Sequence, residues 1–257
     1  MRPNPIVVTH DTPIAVCGRR MLENPIRHLP VLRGDEVLGI LDDGAVFGVG
    51  VALPGGLWFA FDAEGPEEAG TLARPAVVVD AEAPLPTALR QLVGQGIAVV
   101  TDEGRVVGVL SEHDIVKMAP AIVPADRLVD DIDSSPAHGV SPEASVREAM
   151  EKMRQLRSRH LVVFDDDERV VGVVSLRDLV TGWLGPDEPV KSCMADTVRT
   201  VPSGTSARSA AQTMADLSIG CLPVVNGDRK AIGVVTRTDL LRLVAESIDD
   251  ETLFGDD

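Results

Sequence analysis

In the second half of the chain, Val146, Ala149, Met150, Met153 and Leu156 follow the i, i+3, i+4, i+7, i+10 spacing of a helix with one apolar face. Ser145-Val-Arg-Glu148 sets a capping box at its start. Two β-branched runs follow, Leu161 to Phe164 and Val170 to Ser175, separated by Asp165-Asp-Asp-Glu-Arg169. These predict a hairpin whose turn carries the charge, and a solvated turn is a better reading of the acidic run than a metal site. The same order returns at an offset of 61 without gaps, with Ala207, Ala210, Ala211, Met214 and Leu217 as the helical stripe. Beyond the second hairpin strand, Leu240, Leu241, Leu243 and Val244 predict a closing helix.

The predicted unit is therefore short strand, helix, strand, strand, helix. About 60 residues bury little core alone, so such units should pair. The end of the second hairpin strand is where the recurrence is sharpest. It reads Gly108-Val-Leu-Ser111-Glu-His-Asp114, Gly172-Val-Val-Ser175-Leu-Arg-Asp178 and Gly233-Val-Val-Thr236-Arg-Thr-Asp239. A damaged copy, Gly39-Ile-Leu-Asp42-Asp-Gly-Ala45, lies upstream, which makes four units.

Two units depart from the pattern. Unit two is three residues shorter between Leu92 and Ile97 than unit three is between Met153 and Leu161, which demands a tighter loop. In unit one, Ala45 to Leu53, Pro54-Gly-Gly56 and Leu57 to Phe61 alternate glycine with β-branched and aromatic residues, and predict a hairpin in place of the closing helix. Phe47, Trp58, Phe59 and Phe61 gather four of the seven aromatics there, suggesting a hydrophobic contact. The boundaries read as 1–62, 72–119, 127–185 and 188–248, with an acidic tail over 249–257.

Composition narrows the function. A formal charge of −16 argues against nucleic-acid binding, and any phosphate bound here needs a local basic cluster. Cys17, Cys193 and Cys221 form no CxxC pair and read as small buried residues. The N-terminus lacks a signal-peptide pattern and no run of 18 apolar residues occurs, which points to the cytoplasm and away from a membrane. With no P-loop, no Gly-x-Gly-x-x-Gly and no metal-ligand spacing among the histidines, an enzyme is not indicated.

The three in-register Gly-x-x-[Ser/Thr]-x-x-Asp signatures resemble the CBS domain, the repeat named for cystathionine β-synthase, over nearly the whole chain. The resemblance implies an α/β fold of four β-α-β-β-α repeats arranged as two pseudo-twofold pairs. It also implies clefts that hold adenosine ligands such as AMP, ADP, ATP or S-adenosylmethionine, with no catalytic cofactor. Pairs in that family assemble into a disc of four repeats, which this chain could build alone or within a homodimer. A stand-alone sensor would pass occupancy to a protein partner; the alternative is a structural or oligomerisation module whose carboxylates are only caps.

The chemistry suits such ligands. The hydroxyl caps the following helix, and the aspartate in its first turn can accept hydrogen bonds from both hydroxyls of a ribose. In the family, an Arg or His before the hairpin often reaches a phosphate whose ribose is held by the paired repeat. Units one and three carry Arg27-His28 and Arg159-His160 there, while units two and four are neutral. The resemblance thus implies two equivalent sites, one of Ser111, Asp114, Arg27 and His28, the other of Thr236, Asp239, Arg159 and His160. Ser175 and Asp178 face neutral Gly220 and Cys221 and should hold a weaker or uncharged ligand, and the unit-one cleft should be empty. Val77 to Val79 with Val99, and Thr200, Val201 and Pro223, are candidate adenine walls. Arg237, Arg177, His113 and Lys117 lie within a turn of the carboxylates, and His138 and Arg199 are weaker candidates.

Overall fold

The computed structural model describes residues 1–48, 68–181, 184–195 and 197–248. Unit one comprises β1 (Arg2–Pro3), β2 (Val8–Thr9), α1 (Ile14–Glu23), β3 (His28–Arg33), β4 (Glu36–Asp42) and α2 (Asp43–Gly48). Unit two comprises α3 (Ala69–Leu72), β5 (Val77–Asp80), α4 (Leu85–Leu92), β6 (Ile97–Asp102), β7 (Arg105–Ser111) and α5 (Glu112–Ile122). Unit three holds β8 (Gly139–Val140), α6 (Val146–Leu156), β9 (His160–Phe164), β10 (Val170–Ser175) and α7 (Leu176–Thr181). Unit four holds β11 (Val201–Pro202), α8 (Ala207–Leu217), β12 (Cys221–Val225), β13 (Ala231–Thr236) and α9 (Arg237–Ser247).

β1 aside, the first strand of every unit runs parallel to the second, and the second pairs antiparallel with the third. Helices α6 and α8 occupy the stretches their apolar spacing predicts. Ser145 caps α6 by accepting from the Glu148 N–H at 3.2 Å, and Ser206 caps α8 through the Ser209 N–H at 3.2 Å. Both helices end on left-handed residues, Arg157 (φ 50°) and Ser218 (φ 55°). The shorter loop of unit two makes its turn with Gly94 and Gly96, at φ +82° and +73°, where a side chain would be strained.

Unit one corrects one expectation. Residues 43–48 are helical, so the hairpin expected from Ala45 does not begin there. Asp42 Oδ1 accepts from the Ala45 N–H at 2.9 Å, and Val46 and Phe47 bury against the core, so a cap and a buried face override the low helix propensity of the glycines. The remainder of the expected hairpin, with Trp58, Phe59 and Phe61, and the acidic tail lie outside the described residues.

Four seams close the units into a ring. Sheet faces join units one and two around Ile40, Ile97 and Val99, and units three and four around Val162, Val170 and Val225. Helices join unit two to unit four through Leu89, Ile115, Met214 and Leu240, and unit one to unit three through Met21, Val46, Met153 and Leu179. These are two pseudo-twofold pairs set side by side. Each helix buries one stripe against its own sheet and another across a seam, which is why 60-residue units suffice.

A further exchange was not predicted. The segment preceding each unit crosses to its partner and lies along the partner's last strand. Arg2–Pro3 pairs with β7, Arg74 bridges Ile40, Ser134 bridges Val234, and Ala195 bridges Val173. All four signature glycines sit under these crossings. A Cβ on Gly39 would meet the Arg74 carbonyl at 2.6 Å, one on Gly108 the Met1 sulfur at 2.7 Å, one on Gly172 the Met194 sulfur and one on Gly233 the Asp133 carboxylate. Close approach of the crossing segment, by its backbone at Gly39 and first by its side chains at the other three, rather than an unusual φ, favours glycine here.

Candidate functional site

The signature hydroxyl and carboxylate form the same small network in units two, three and four. Asp114 accepts from the Ser111 N–H and hydroxyl, each at 2.9 Å. Asp178 accepts from Ser175 at 2.8 and 2.6 Å, and Asp239 from Thr236 at 2.8 and 2.6 Å. In each case these bonds engage one carboxylate oxygen, Oδ2, of the helix's first turn. The surroundings of the other oxygen differ.

At Asp239 the other oxygen faces a cleft of about 560 Å³. Ser134, on the crossing segment, donates its hydroxyl to Asp239 Oδ1 at 3.5 Å, and Arg242 Nη1 lies 4.0 Å from the same oxygen. Pro136, His138 and Val234 extend this wall. Opposite, unit three contributes Arg157, Arg159 and His160, while Arg27 and His28 of unit one and Arg237 of unit four close the inner end. Five arginines thus converge with only Glu112 and Asp239 as acidic lining residues, in a chain of net charge −16. This is the local basic cluster that phosphate binding demands.

The electrostatics follow from burial. Asp239 is 4% exposed, and desolvation raises its pKa against the opposing Thr236 hydrogen bonds and Arg242. His28 and His160 are pushed down to about 3, first by desolvation and then by nearby arginines, so both rings are neutral. They offer hydrogen bonds rather than positive charge. The His160 ring lies where a Cβ on residue 220 would be, so Gly220 admits it. Arg237 is lowered to about 10, chiefly by desolvation and then by Arg27; its Nε and Nη2 donate to the carbonyls of Ile219 and Ser218 at 3.3 and 2.9 Å.

Behind Arg27 and Arg159 lies Asp43, a residue that the sequence reading passed over. It is 4% exposed, with Oδ1 3.1 Å from Arg159 Nε and Oδ2 3.9 Å from Arg27 Nε. Oδ1 has no partner of hydrogen-bond geometry. Burial raises its pKa even though both arginines oppose the shift.

The residues of the two implied sites are not placed alike. Arg27 and His28, assigned to Asp114, line the same cleft as Arg159, His160, Thr236 and Asp239, whereas Ser111 and Asp114 are not part of its lining. Beside Asp114 lie instead the crossing segment and the Met1 amino group, 3.8 Å from Oδ1. Asp178 sits near Cys193, whose thiol is raised to about 11 by burial and secondarily by that carboxylate. In unit one, Arg74 occupies the corresponding place: its Nε meets Asp42 Oδ2 at 3.3 Å and its Nη2 donates to the Gln95 carbonyl at 2.8 Å.

The residues expected to flank an adenine lie elsewhere. Thr200, Val201 and Pro223 do not line the Asp239 cleft, and Val201, Val79 and Val99 are buried core. The first strand of unit four packs toward unit two, so it cannot face a cleft built on unit three's crossing segment. Arg177 donates to the Ile26 carbonyl at 3.3 Å and ties unit three to unit one. His138, by contrast, does line the cleft. Sequence reasoning missed Ser134, Pro136, Val234 and Arg242; only Arg242, one turn beyond Asp239, had a local signal.

A ring of four βαββα units with a Ser/Thr-x-x-Asp cap at each of three strand ends is a tandem-repeat architecture. The family model for the CBS domain matches residues 1–49, 69–120, 129–184 and 190–246, and the chain belongs to the CBS-domain family. MJ1404 of Methanocaldococcus jannaschii is 26% identical over 96% of this chain and 61% of its own length. The inosine-5'-monophosphate dehydrogenase of Halobacterium salinarum is 29% identical over 68% of this chain and 36% of its own. The chain thus spans less than two thirds of both. The crystal structure of MJ1225 from Methanocaldococcus jannaschii superposes over 93% of this chain and 95% of its own with a TM-score of 0.78 at 18% identity, a likeness of fold.

Proposed function

We propose that this chain is a regulatory sensor that binds an adenosine nucleotide, AMP, ADP or ATP, in the Asp239 cleft and signals occupancy to a protein partner. The carrying observation is the convergence of five arginines on a cleft whose far end holds the Asp239 carboxylate. The ribose hydroxyls would donate to Asp239 Oδ1, displacing the long contact from Ser134. The base would lie along Pro136, His138 and Val234, and the phosphates among Arg157, Arg159 and Arg242. S-adenosylmethionine fits less well, because its sulfonium would enter a cluster that is already cationic.

All four units contribute to the lining, so a bound ligand contacts both pairs at once. Such a ligand favours the ring geometry that closes on it, and a partner reading that geometry senses occupancy. No reaction is assigned to the cleft. Among the described residues, no group of His, Cys, Asp and Glu could hold a metal ion, and no helix is long and apolar enough to cross a membrane.

Isothermal titration of adenosine, AMP, ADP and ATP tests the proposal. Asp239→Asn preserves the shape of the cap while removing the carboxylate, and should weaken every adenosine ligand by about 100-fold, the loss of two charge-assisted hydrogen bonds. Arg242→Ala should weaken the nucleotides and leave adenosine unchanged. Wild-type affinity in Asp239→Asn would place binding elsewhere.

A further inference from the structure

The damaged signature of unit one carries two adjacent aspartates. Asp42 is accounted for by Arg74 and by capping α2. Asp43 points the other way, into the seam between units one and three, where it lies between Arg27 of its own unit and Arg159 of the other. It contacts both guanidinium groups on the Nε side and is not part of the cleft lining, whereas both arginines are. A buried carboxylate with one oxygen unsatisfied is costly to keep, which argues for a role beyond packing.

We infer that Asp43 is a built-in charge brake on the Asp239 cleft: it holds Arg27 and Arg159 in place from behind while subtracting one positive charge from the field that a phosphate meets. The inference deepens the nucleotide reading and rests on it. Two effects of the carboxylate compete. Its ion pairs orient the two arginines, which favours anion binding, and its charge repels the anion, which opposes it. In a seam shielded from water the repulsion is poorly screened and acts on each phosphate charge, whereas orientation contributes once. The charge term therefore dominates for di- and triphosphates. Asparagine separates the two effects, because it keeps the shape and one acceptor oxygen while removing the charge.

The test is titration of adenosine, AMP, ATP and inorganic pyrophosphate into wild type and Asp43→Asn. ATP and pyrophosphate should tighten by about 10-fold or more, within the usual range of site-to-site coupling. AMP should gain less, and adenosine should not change. A purely structural role would shift adenosine together with the nucleotides, and that result would overturn the inference. Equal ATP affinity in the two proteins would also overturn it while leaving the nucleotide reading intact. Binding to Asp43→Asn alone would support the brake; binding to neither protein would overturn both readings. Should Asp43→Asn fail to fold with two arginines left facing each other, Arg27→Gln and the Arg27→Gln/Asp43→Asn double variant provide the same comparison with one arginine removed. Pyrophosphate must then bind more tightly to the double variant than to Arg27→Gln.

Discussion

Asp239 and Asp42 stand close to one another in the pattern of their repeats, three residues apart in register, yet one meets a hydroxyl from its crossing segment and the other an arginine. The difference lies in the segment that crosses from the partner unit. At Asp239 this segment presents Ser134, whose short hydroxyl leaves about 560 Å³ of arginine-lined space. At Asp42 it presents Arg74, which reaches the carboxylate and grips Gln95 in the tight loop of unit two. Although burial opposes it, Asp42 stays below the usual carboxylate range through the Ala45 N–H, Arg159, His28 and Arg74. The group that meets the signature carboxylate is thus set by the crossing segment as well as by the signature itself.

Ligand affinity should break the symmetry most visibly. Asp239→Asn should cost about 100-fold in nucleotide affinity, roughly 2.7 kcal/mol, whereas Asp42→Asn should cost none. Titration of both variants with one nucleotide checks this, and equal losses would collapse the distinction between the clefts. Asparagine is preferable to alanine because Asp239 also caps α9, a contribution of about 1 kcal/mol to stability.

Stability should separate the two crossing segments in the opposite sense. Arg74→Ala removes a half-buried ion pair and a bond to the Gln95 carbonyl, and should destabilise the fold by about 1–3 kcal/mol. Ser134→Ala gives up only a 3.5 Å contact and should cost less than about 0.5 kcal/mol. Urea denaturation of the two variants measures the contrast; a costlier Ser134→Ala would reverse the roles assigned to the segments.

Acid sharpens the comparison further. His28 and His160 titrate near 6.5 when unfolded and at about 3 in the fold, so their contribution is complete above pH 6.5 and is lost as pH falls toward 3. Between those limits each should subtract about 1.36 kcal/mol of stability per pH unit. His160→Gln should remove one histidine's share of that slope in denaturation curves at pH 4 to 7, and an unchanged slope would show that the ring is already charged. The smallest effect concerns nucleotide affinity itself: Arg237→Gln should change it by only a few-fold, because two of its donors are already spent on carbonyls.

Much of the fold was legible in the chain. The stripes of α6 and α8, the hairpins that follow them and the cap networks at Asp114, Asp178 and Asp239 stand where periodicity and the signature put them. Thr236, Asp239, Arg159 and His160, grouped from the sequence, line one cleft. The difference in surroundings between Asp114 and Asp239 was not legible, because Arg27 and His28 reach the Asp239 cleft across a seam between pairs that no local spacing encodes. Ser134, Pro136 and Arg74 were overlooked for a similar reason. They lie in connecting segments without periodicity, and only the crossing to another unit's sheet edge gives them a role. The glycine of the signature was visible as a repeat, but the passage of a segment from the partner unit over its Cα was not.

What the sequence by itself determined is the repeat, its order of elements and the chemistry of each strand end, since these depend on hydrophobic period and on contacts three or four residues apart. Only the tertiary structure decided which carboxylate meets a cluster of arginines, which is bolted by Arg74, and that Asp43 stands behind Arg27 and Arg159. Those outcomes depend on which units share a seam and where four crossing segments land, and they bring together residues as far apart in the chain as Asp42 and Arg74, or Asp43 and Arg159.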